Sequence, residues 1–207
     1  MTTRIEVIDA ALSSIGARAL MVETARGADA RIREYRTLLT GLLSTYPWWW
    51  ATATRPLTRL IGTPASGMTY GFALPADMLG GPRAAYDAAE CRVPYHDWTL
   101  QAAPTPHTPA ELHANVEKIW LKYTRDVPPQ FWPGYFYALM VKALAGEYAL
   151  SVREDGPLSD RIKGEVYGTP GQHGEGGLIG QAKAADSQSR PARTLALGGN
   201  PLIDARR

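Results

Sequence analysis

The sequence QFWPGYFYALMVKALAGEYALSV, residues Gln130–Val152, is the longest predominantly apolar run in the chain, and only Lys142 and Glu147 carry charge within it. Pro133 stands near its beginning, where proline is tolerated because the first helical turn leaves its N–H groups without intrahelical partners. Apolar side chains then cover nearly every direction around a helix, which indicates burial on more than one side. The run predicts a central helix. A membrane span, the alternative, requires about 20 apolar residues with few charges, and Lys142, Glu147 and Pro133 argue against it.

The composition is typical of a globular protein, with 207 residues, 45% hydrophobic residues and a net charge of +2. This small charge argues against nucleic acid as the main partner. Six Trp and ten Tyr stand against three Phe, and amphipathic aromatic residues are favoured at protein interfaces. The single Cys91 excludes a disulfide within this sequence and any Cys-based zinc site. Glu6 and Asp9 interrupt the N-terminal apolar pattern, so a signal peptide is not predicted and a cytoplasmic origin is expected.

Two helices are predicted before the central one. Thr3 and Glu6 match the capping-box pattern at the start of the first helix, which Gly16 is expected to end. The second helix is predicted over residues 29–46, where apolar residues recur at intervals of three and four, and Pro47 ends it. Further helices are predicted from a cap at Ser159 to about residue 167, and over about residues 178–189.

Three consecutive tryptophans, Trp48–Trp50, follow the second helix. In an extended segment Trp48 and Trp50 would face one side and Trp49 the other. The favoured interpretation is that they close the end of the helical core, because aromatic side chains dominate core energetics. The alternative is an aromatic platform for a sugar or a base.

Between residues 51 and 126 the pattern changes to short β-like runs separated by Pro and Gly, which predicts a small antiparallel sheet inserted between helices. The predicted strands are Arg55–Ile61, Tyr70–Leu74, Ala84–Cys91, Asp97–Ala102 and Val116–Arg125. The predicted fold is therefore mainly α: an antiparallel helical bundle (residues 1–50 and 127–189), the inserted β-sheet region (51–126) and an extended C-terminal tail (190–207). The tail contains few apolar residues, so we expect it to order only on a partner.

Four segments carry a resemblance to a known family. These are IDAALSSIGARAL (Ile8–Leu20), YPWWWATATRPL (Tyr46–Leu57), YGFALPADML (Tyr70–Leu79) and YTRDVPPQFWPGYFYALMVKALAGEYAL (Tyr123–Leu150). They are similar to the opening helix, the Trp-rich lead into the sheet, the aromatic-x-Leu-Pro-x-Asp strand and the proline-linked Ala-rich helix of the head-to-tail adaptors of tailed phages, called tail tubular protein A in podoviruses. AKAADSQSRP (Ala182–Pro191) also suits the last helix of that family.

The sequence departs from the family at two places. Trp132 stands where family members often have Asp before the proline, which removes a good helix cap. The glycine-rich stretch Gly168–Gly180 interrupts the last helix.

The resemblance implies a structural protein of the virion neck, made in the host bacterial cytoplasm, with no catalysis, cofactor or metal. Family members form a dodecameric ring beneath the portal, continue the channel through which DNA is ejected, and dock the tail tube or nozzle. The implied partners are the portal protein, the tail tube or nozzle protein and other copies of the chain. Contacts with passing DNA would be non-specific phosphate contacts, and no membrane is involved.

The site residues that follow from this interpretation form two groups. The C-terminal segments of family members bind the portal, which implies an anchor made of Arg193, Leu195, Leu197, Leu202, Ile203, Arg206 and Arg207. The second group is an aromatic cluster expected in the core or at the subunit interface, made of Trp48, Trp49, Trp50, Trp120 and Trp132.

Other functions leave weaker signals. The four histidines, His96, His107, His113 and His173, include no pair at i, i+4 and no HExxH pattern, so a metal site is not predicted. The alternative function is a small tail-associated enzyme or carbohydrate-binding module that uses Trp48–Trp50. A third possibility is a plain intracellular helical protein with a disordered tail.

Overall fold

The structure is a computed structural model that describes residues 2–20, 27–62, 64, 66–102, 110–172 and 175–189. Its helices are α1 (Arg4–Ser14), α2 (Ala28–Thr45), α3 (Gly134–Ser151), α4 (Gly156–Tyr167) and α5 (Gly177–Gln188). Its strands are β1 (Thr52–Pro56), β2 (Thr58–Arg59), β3 (Tyr70–Ala73), β4 (Met78–Tyr86), β5 (Trp98–Gln101), β6 (Glu111–Ala114) and β7 (Trp120–Arg125). Short 3₁₀ turns occur at Trp49–Ala51, Pro129–Phe131 and Pro170–Gln172.

The protein has a mixed α/β fold, so the prediction of a mainly α bundle with one small inserted sheet is wrong. Of the residues that the structure describes, 46% are in helices and 21% in strands, and these strands form two antiparallel sheets of three and four strands. Strand β6 was not predicted because the alternation in ELHA at Glu111–Ala114 covers only four residues and closely follows the proline-rich stretch 103–109. Strand β4 was predicted too late in the chain because it runs through Gly80, Gly81 and Pro82, residues that usually mark a turn.

The two sheets share a hydrophobic core. The strand order is β1-β7-β4 in the three-stranded sheet and β2-β3-β6-β5 in the four-stranded sheet. Strand β4 keeps its pairing with β7 across two register irregularities, one on each side of Pro82. Such bulges let glycine and proline sit in a strand without ending it. The buried residues of this core are Phe72, Ala85, Leu112, Ala114, Ile119, Leu121 and Tyr123.

Helix α3 is the centre of a second, larger core, which confirms the prediction of a central helix. Nine of its residues are buried, and it packs against α1, α2, α4 and α5. The α3–α4 crossing is close: a Cβ at Gly146 would lie 3.3 Å from carbon atoms of Ile162 and Lys163. None of the helices in the described part of the chain combines the length and apolar character that a membrane span requires.

The helix ends test the capping predictions. The capping box of α1 is confirmed, with both the Thr3 and the Glu6 side chain bonded to backbone N–H groups. The cap predicted at Ser159 is wrong, because the Asp155 carboxylate accepts the bond from the Leu158 N–H at 3.0 Å. Ser159 is instead buried one turn later and donates its hydroxyl to the Gly146 carbonyl at 2.8 Å.

Arg83 on β4 joins the helical part to the three-stranded sheet. Its Nε donates to the Thr124 hydroxyl at 2.8 Å. Its Nη2 lies 3.2–3.4 Å from the carbonyl oxygens of Leu43, Ser44 and Tyr46 at the end of α2. Because the last carbonyls of a helix have no intrahelical partners, one guanidinium both caps α2 and fixes it to the sheet. Burial lowers the pKa of Arg83 without removing its charge.

Candidate functional site

The three consecutive tryptophans that follow α2 differ in burial. Trp48 is completely buried and Trp50 is 7% exposed, whereas Trp49 is 50% exposed. Pro47 separates the triplet from α2, and the 3₁₀ turn Trp49–Ala51 then leads directly into β1. Trp48 and Trp50 therefore face the interior while Trp49 faces outward, as expected for alternating residues.

The interior tryptophans belong to one aromatic cluster built from α2, the triplet and the start of α3. The ring of Phe136 lies at its centre, 5.1 Å from Trp48, 4.6 Å from Trp50 and 5.1 Å from Trp132 between ring centroids, each in an edge-on arrangement. Tyr46 packs edge-on against Trp48 at 4.9 Å. These are the distances and orientations that aromatic pairs prefer.

Two indole N–H groups in this cluster bond to backbone carbonyls. Trp48 Nε1 donates to the Leu42 carbonyl at 2.9 Å, and Trp132 Nε1 donates to the Val127 carbonyl at 2.7 Å. Trp132, which stands where the resembling family often has a capping Asp, thus ties the proline-rich linker between β7 and α3 to the core. Helix α3 begins after Pro133 with no side-chain cap bond.

Trp120 does not join this cluster. It lies on β7, between Pro56 of β1 and Tyr86 of β4, and is half-buried. The structure therefore brings together three of the five tryptophans predicted to act as one group, Trp48, Trp50 and Trp132, and only Trp49 of the triplet offers an exposed ring face.

A buried carboxylate, which sequence reasoning missed, holds Trp49 in place. Asp186 on α5 is 0% exposed. It accepts a hydrogen bond from the Tyr135 hydroxyl at 2.9 Å and lies 3.3 Å from the backbone N of Trp49. Burial, followed by the bond to Asp186, raises the pKa of Tyr135. The signal was present in the sequence, because Asp186 continues the apolar stripe of Ile179 and Ala182.

A second missed arrangement lies on the four-stranded sheet. His113 on β6 is buried, its Nδ1 lies 2.8 Å from the hydroxyl of Ser66, and its Nε2 lies 3.1 Å from a carboxylate oxygen of Glu111. Ser66 is in the loop between β2 and β3. Glu111 and His113 share one face of β6 because they are two residues apart in a strand. Because strand β6 is not predicted from the sequence, no sequence pattern connects these residues.

The predicted portal anchor, Arg193, Leu195, Leu197, Leu202, Ile203, Arg206 and Arg207, lies outside the described residues, as do His107 and His173. Within the described ranges, no group of three or more His, Cys, Asp and Glu side chains could hold a metal ion.

The segments that carry the family resemblance contact one another. The Tyr123 hydroxyl donates to the carboxylate of Asp77 at 2.9 Å, and the Asp126 N–H donates to the carbonyl of Asp77 at 3.0 Å. These bonds join the YGFALPADML segment to the strand that leads into α3. The Trp48–Phe136 contact joins the Trp-rich segment to the same helix, against which α1 also packs.

Comparison of the sequence with models of known protein families finds no match, and comparison with curated proteins also finds none.

Proposed function

We propose that this chain is a structural head-to-tail adaptor of a tailed phage. In this role it forms a ring between portal and tail, continues the DNA channel and provides the docking surface for the tail tube or nozzle. The observation that carries the proposal is the contact between the four family-like segments. Asp77, Tyr123, Trp48 and Phe136 connect segments that are far apart in the sequence, so the resemblance covers one contiguous body rather than scattered short matches.

A ring requires a heterologous interface, in which one face of each subunit meets a different face of its neighbour. Trp49 supplies a suitable contact, because half of a large aromatic side chain is exposed while Asp186 fixes its backbone. Phe131, in the linker that leads into α3, is 65% exposed. Aromatic residues are enriched at subunit interfaces, so we assign Trp49 and Phe131 to the contact between neighbouring copies, twelve per ring.

The tail supplies the portal contact in this proposal. Its leucines and Ile203 would enter apolar sites on the portal, and Arg193, Arg206 and Arg207 would pair with acidic groups. A segment that orders on binding can cover a large surface, although its ordering entropy reduces the affinity. The role requires no catalysis, cofactor or membrane, and it places the protein in the virion.

The test combines the purified chain with purified portal oligomers encoded by the same phage genome and examines the product by electron microscopy. We expect a twelve-membered ring of the chain on the tail-facing side of the portal. A chain without residues 190–207 should give the same circular-dichroism spectrum as the full chain but fail to bind. The matched variant Trp49→Asp should still attach through its tail but assemble incomplete rings. Absence of binding by the full chain, or undiminished binding by the truncated chain, contradicts the proposal.

A further inference from the structure

The loop between β2 and β3 carries a serine hydroxyl that is bonded to an imidazole, which is in turn bonded to a carboxylate. The Ser66 Oγ to His113 Nδ1 distance is 2.8 Å, and the His113 Nε2 to Glu111 Oε2 distance is 3.1 Å. A nucleophile within hydrogen-bond reach of a base, which a third group orients, is the signature of an activated nucleophile. We propose that Ser66 is a nucleophilic serine that accepts acyl groups from small uncharged esters, with His113 as its general base and Glu111 as a positioning residue.

The carboxylate determines which ring nitrogen carries the proton. An ionised carboxylate only accepts hydrogen bonds, so Nε2 of His113 is the donor toward Glu111. Nδ1 of the neutral ring is then an acceptor and receives the hydroxyl proton of Ser66. The Met68 N–H also points at the Ser66 oxygen, at 3.4 Å. The oxygen therefore shares its proton with a base, which is the arrangement that general-base catalysis needs.

The three side chains that these hydrogen bonds connect differ in burial. The His113 side chain is 3% exposed, so the base is fixed and shielded from water, whereas the Glu111 side chain is 31% exposed. Ser66 is half-buried. Pro64 and the His113 ring both pack beside Gly71 on β3, where an added Cβ would lie 3.6 Å from each of them, an ordinary van der Waals distance.

The neighbouring side chains define the class of substrate. Strand pairing places Thr99 beside His113, and it places Ala73 and Gln101 beside Glu111, on the same face of the sheet. Residues paired across antiparallel strands share a face. Apart from Glu111, these neighbours are uncharged and small or polar. No cationic group of this set favours a carboxylate or phosphate on the substrate, so the surface suits a small neutral ester.

The reaction balances with water as the only co-reactant. The Ser66 oxygen attacks the ester carbonyl carbon while its proton passes to Nδ1 of His113, and the Glu111 carboxylate stabilises the resulting imidazolium. The ester C–O bond then breaks, and the proton on Nδ1 passes to the departing alkoxide. Water attacks the acyl-serine by the same route, which releases a carboxylic acid and restores the Ser66 hydroxyl. No electron is gained or lost.

The experiment treats the full chain with a fluorophosphonate, which phosphonylates activated serines with loss of fluoride, and maps the adduct by peptide mass spectrometry. We expect one adduct, on Ser66. Ser44 and Ser187 are internal controls, because their hydroxyls donate to backbone carbonyls at 2.7 and 2.8 Å, and a carbonyl cannot act as a base. No adduct on Ser66 under conditions that fully label a known serine hydrolase, or equal labelling of Ser44, overturns the proposal.

Two conservative variants distinguish a catalytic role of the Ser66–His113–Glu111 hydrogen bonds from a purely structural one. His113→Gln keeps a donor and an acceptor for the loop but cannot take a proton, so labelling should slow by about 100-fold. Glu111→Gln still accepts from Nε2 but has no charge to stabilise the imidazolium, so labelling should slow by at least about tenfold. Circular dichroism establishes that each variant is folded. A folded Glu111→Gln chain that is labelled at the wild-type rate contradicts the proposal, because only the structural role then remains.

Discussion

Replacing Trp48 by Phe should destabilise the protein far more than the same change at Trp49. Trp48 is completely buried, and its Nε1 bonds to the Leu42 carbonyl at 2.9 Å. Phe cannot donate that bond, but the Leu42 carbonyl keeps the bond from the Thr45 hydroxyl at 2.9 Å, so the lost hydrogen bond costs about 0.5–1.5 kcal/mol. The smaller ring also leaves a void beside Phe136, which adds roughly 1–2 kcal/mol. The expected loss is therefore about 1.5–3.5 kcal/mol, a large part of the stability of a typical domain.

Trp49→Phe is the matched control because the chemical change and the local sequence are the same. The Trp49 side chain is half exposed, and the bond from its backbone N–H to Asp186 survives the substitution. Its cost should stay below about 1 kcal/mol, as for most surface substitutions. If Trp48–Trp50 were instead an open platform for ligands, both rings would be exposed and the two costs would be similar.

The assay is urea denaturation of each variant, followed by far-ultraviolet circular dichroism. The midpoint should fall for Trp48→Phe while the slope stays constant, since only stability changes. Equal midpoints for the two variants, or a lower midpoint for Trp49→Phe, would refute the assignment of Trp48 to the core.

Three further predictions concern packing, ionisation and the helix–sheet junction. Gly146→Ala should leave the protein about 1–3 kcal/mol less stable than Gly164→Ala in thermal unfolding. Both substitutions gain helix propensity, but an added Cβ at Gly146 would lie 3.3 Å from side-chain atoms of α4, whereas one at Gly164 would have nothing within 4 Å. Burial first, and then the bond to Asp77, raises the pKa of Tyr123. Its stabilising contribution is thus complete below the unfolded-state pKa of about 10 and is lost as the pH rises through the folded-state pKa, and urea titrations at increasing alkaline pH should show the free energy of unfolding falling. Arg83→Met should cost about 1–2 kcal/mol in urea denaturation through the lost cap of α2, whereas an unchanged midpoint would show that solvent replaces its bonds.

Local signals in the sequence predicted the helices well. The capping box at Thr3 and the apolar run after Pro133 are local features. The positions of α1 and α3 could therefore be predicted from the residues of these helices and their immediate neighbours. The strands depend on partners far along the chain. Strand β4 passes through Gly80 and Pro82 because β7 supplies its pairing across a register irregularity. The residues of β4 alone therefore could not predict where this strand begins.

The candidate sites likewise combine features that local sequence predicts with features that depend on distant residues. The opposite orientation of Trp48 and Trp49 followed from alternation, but the carboxylate of Asp186 that fixes this turn lies 137 positions away. The bond between Ser66 and His113 likewise spans 47 positions and depends on a strand of only four residues. Side chains that converge through tertiary contacts leave no spacing rule in the sequence, and for this reason both were missed.

The two cores are coupled where the chain passes between helices and sheet. One connection runs from α2 through the buried Trp48 into β1, and the other from β7 through the linker that Trp132 ties to Val127. Arg83 adds a third link from β4 to the end of α2. Because β1, β7 and β4 are the three strands of one sheet, all three links fix the helical core to that sheet. Phe72 and Leu112 of the four-stranded sheet pack with Leu121 and Tyr123 of the three-stranded sheet, so the shared β core joins the four-stranded sheet to the sheet that the helices hold.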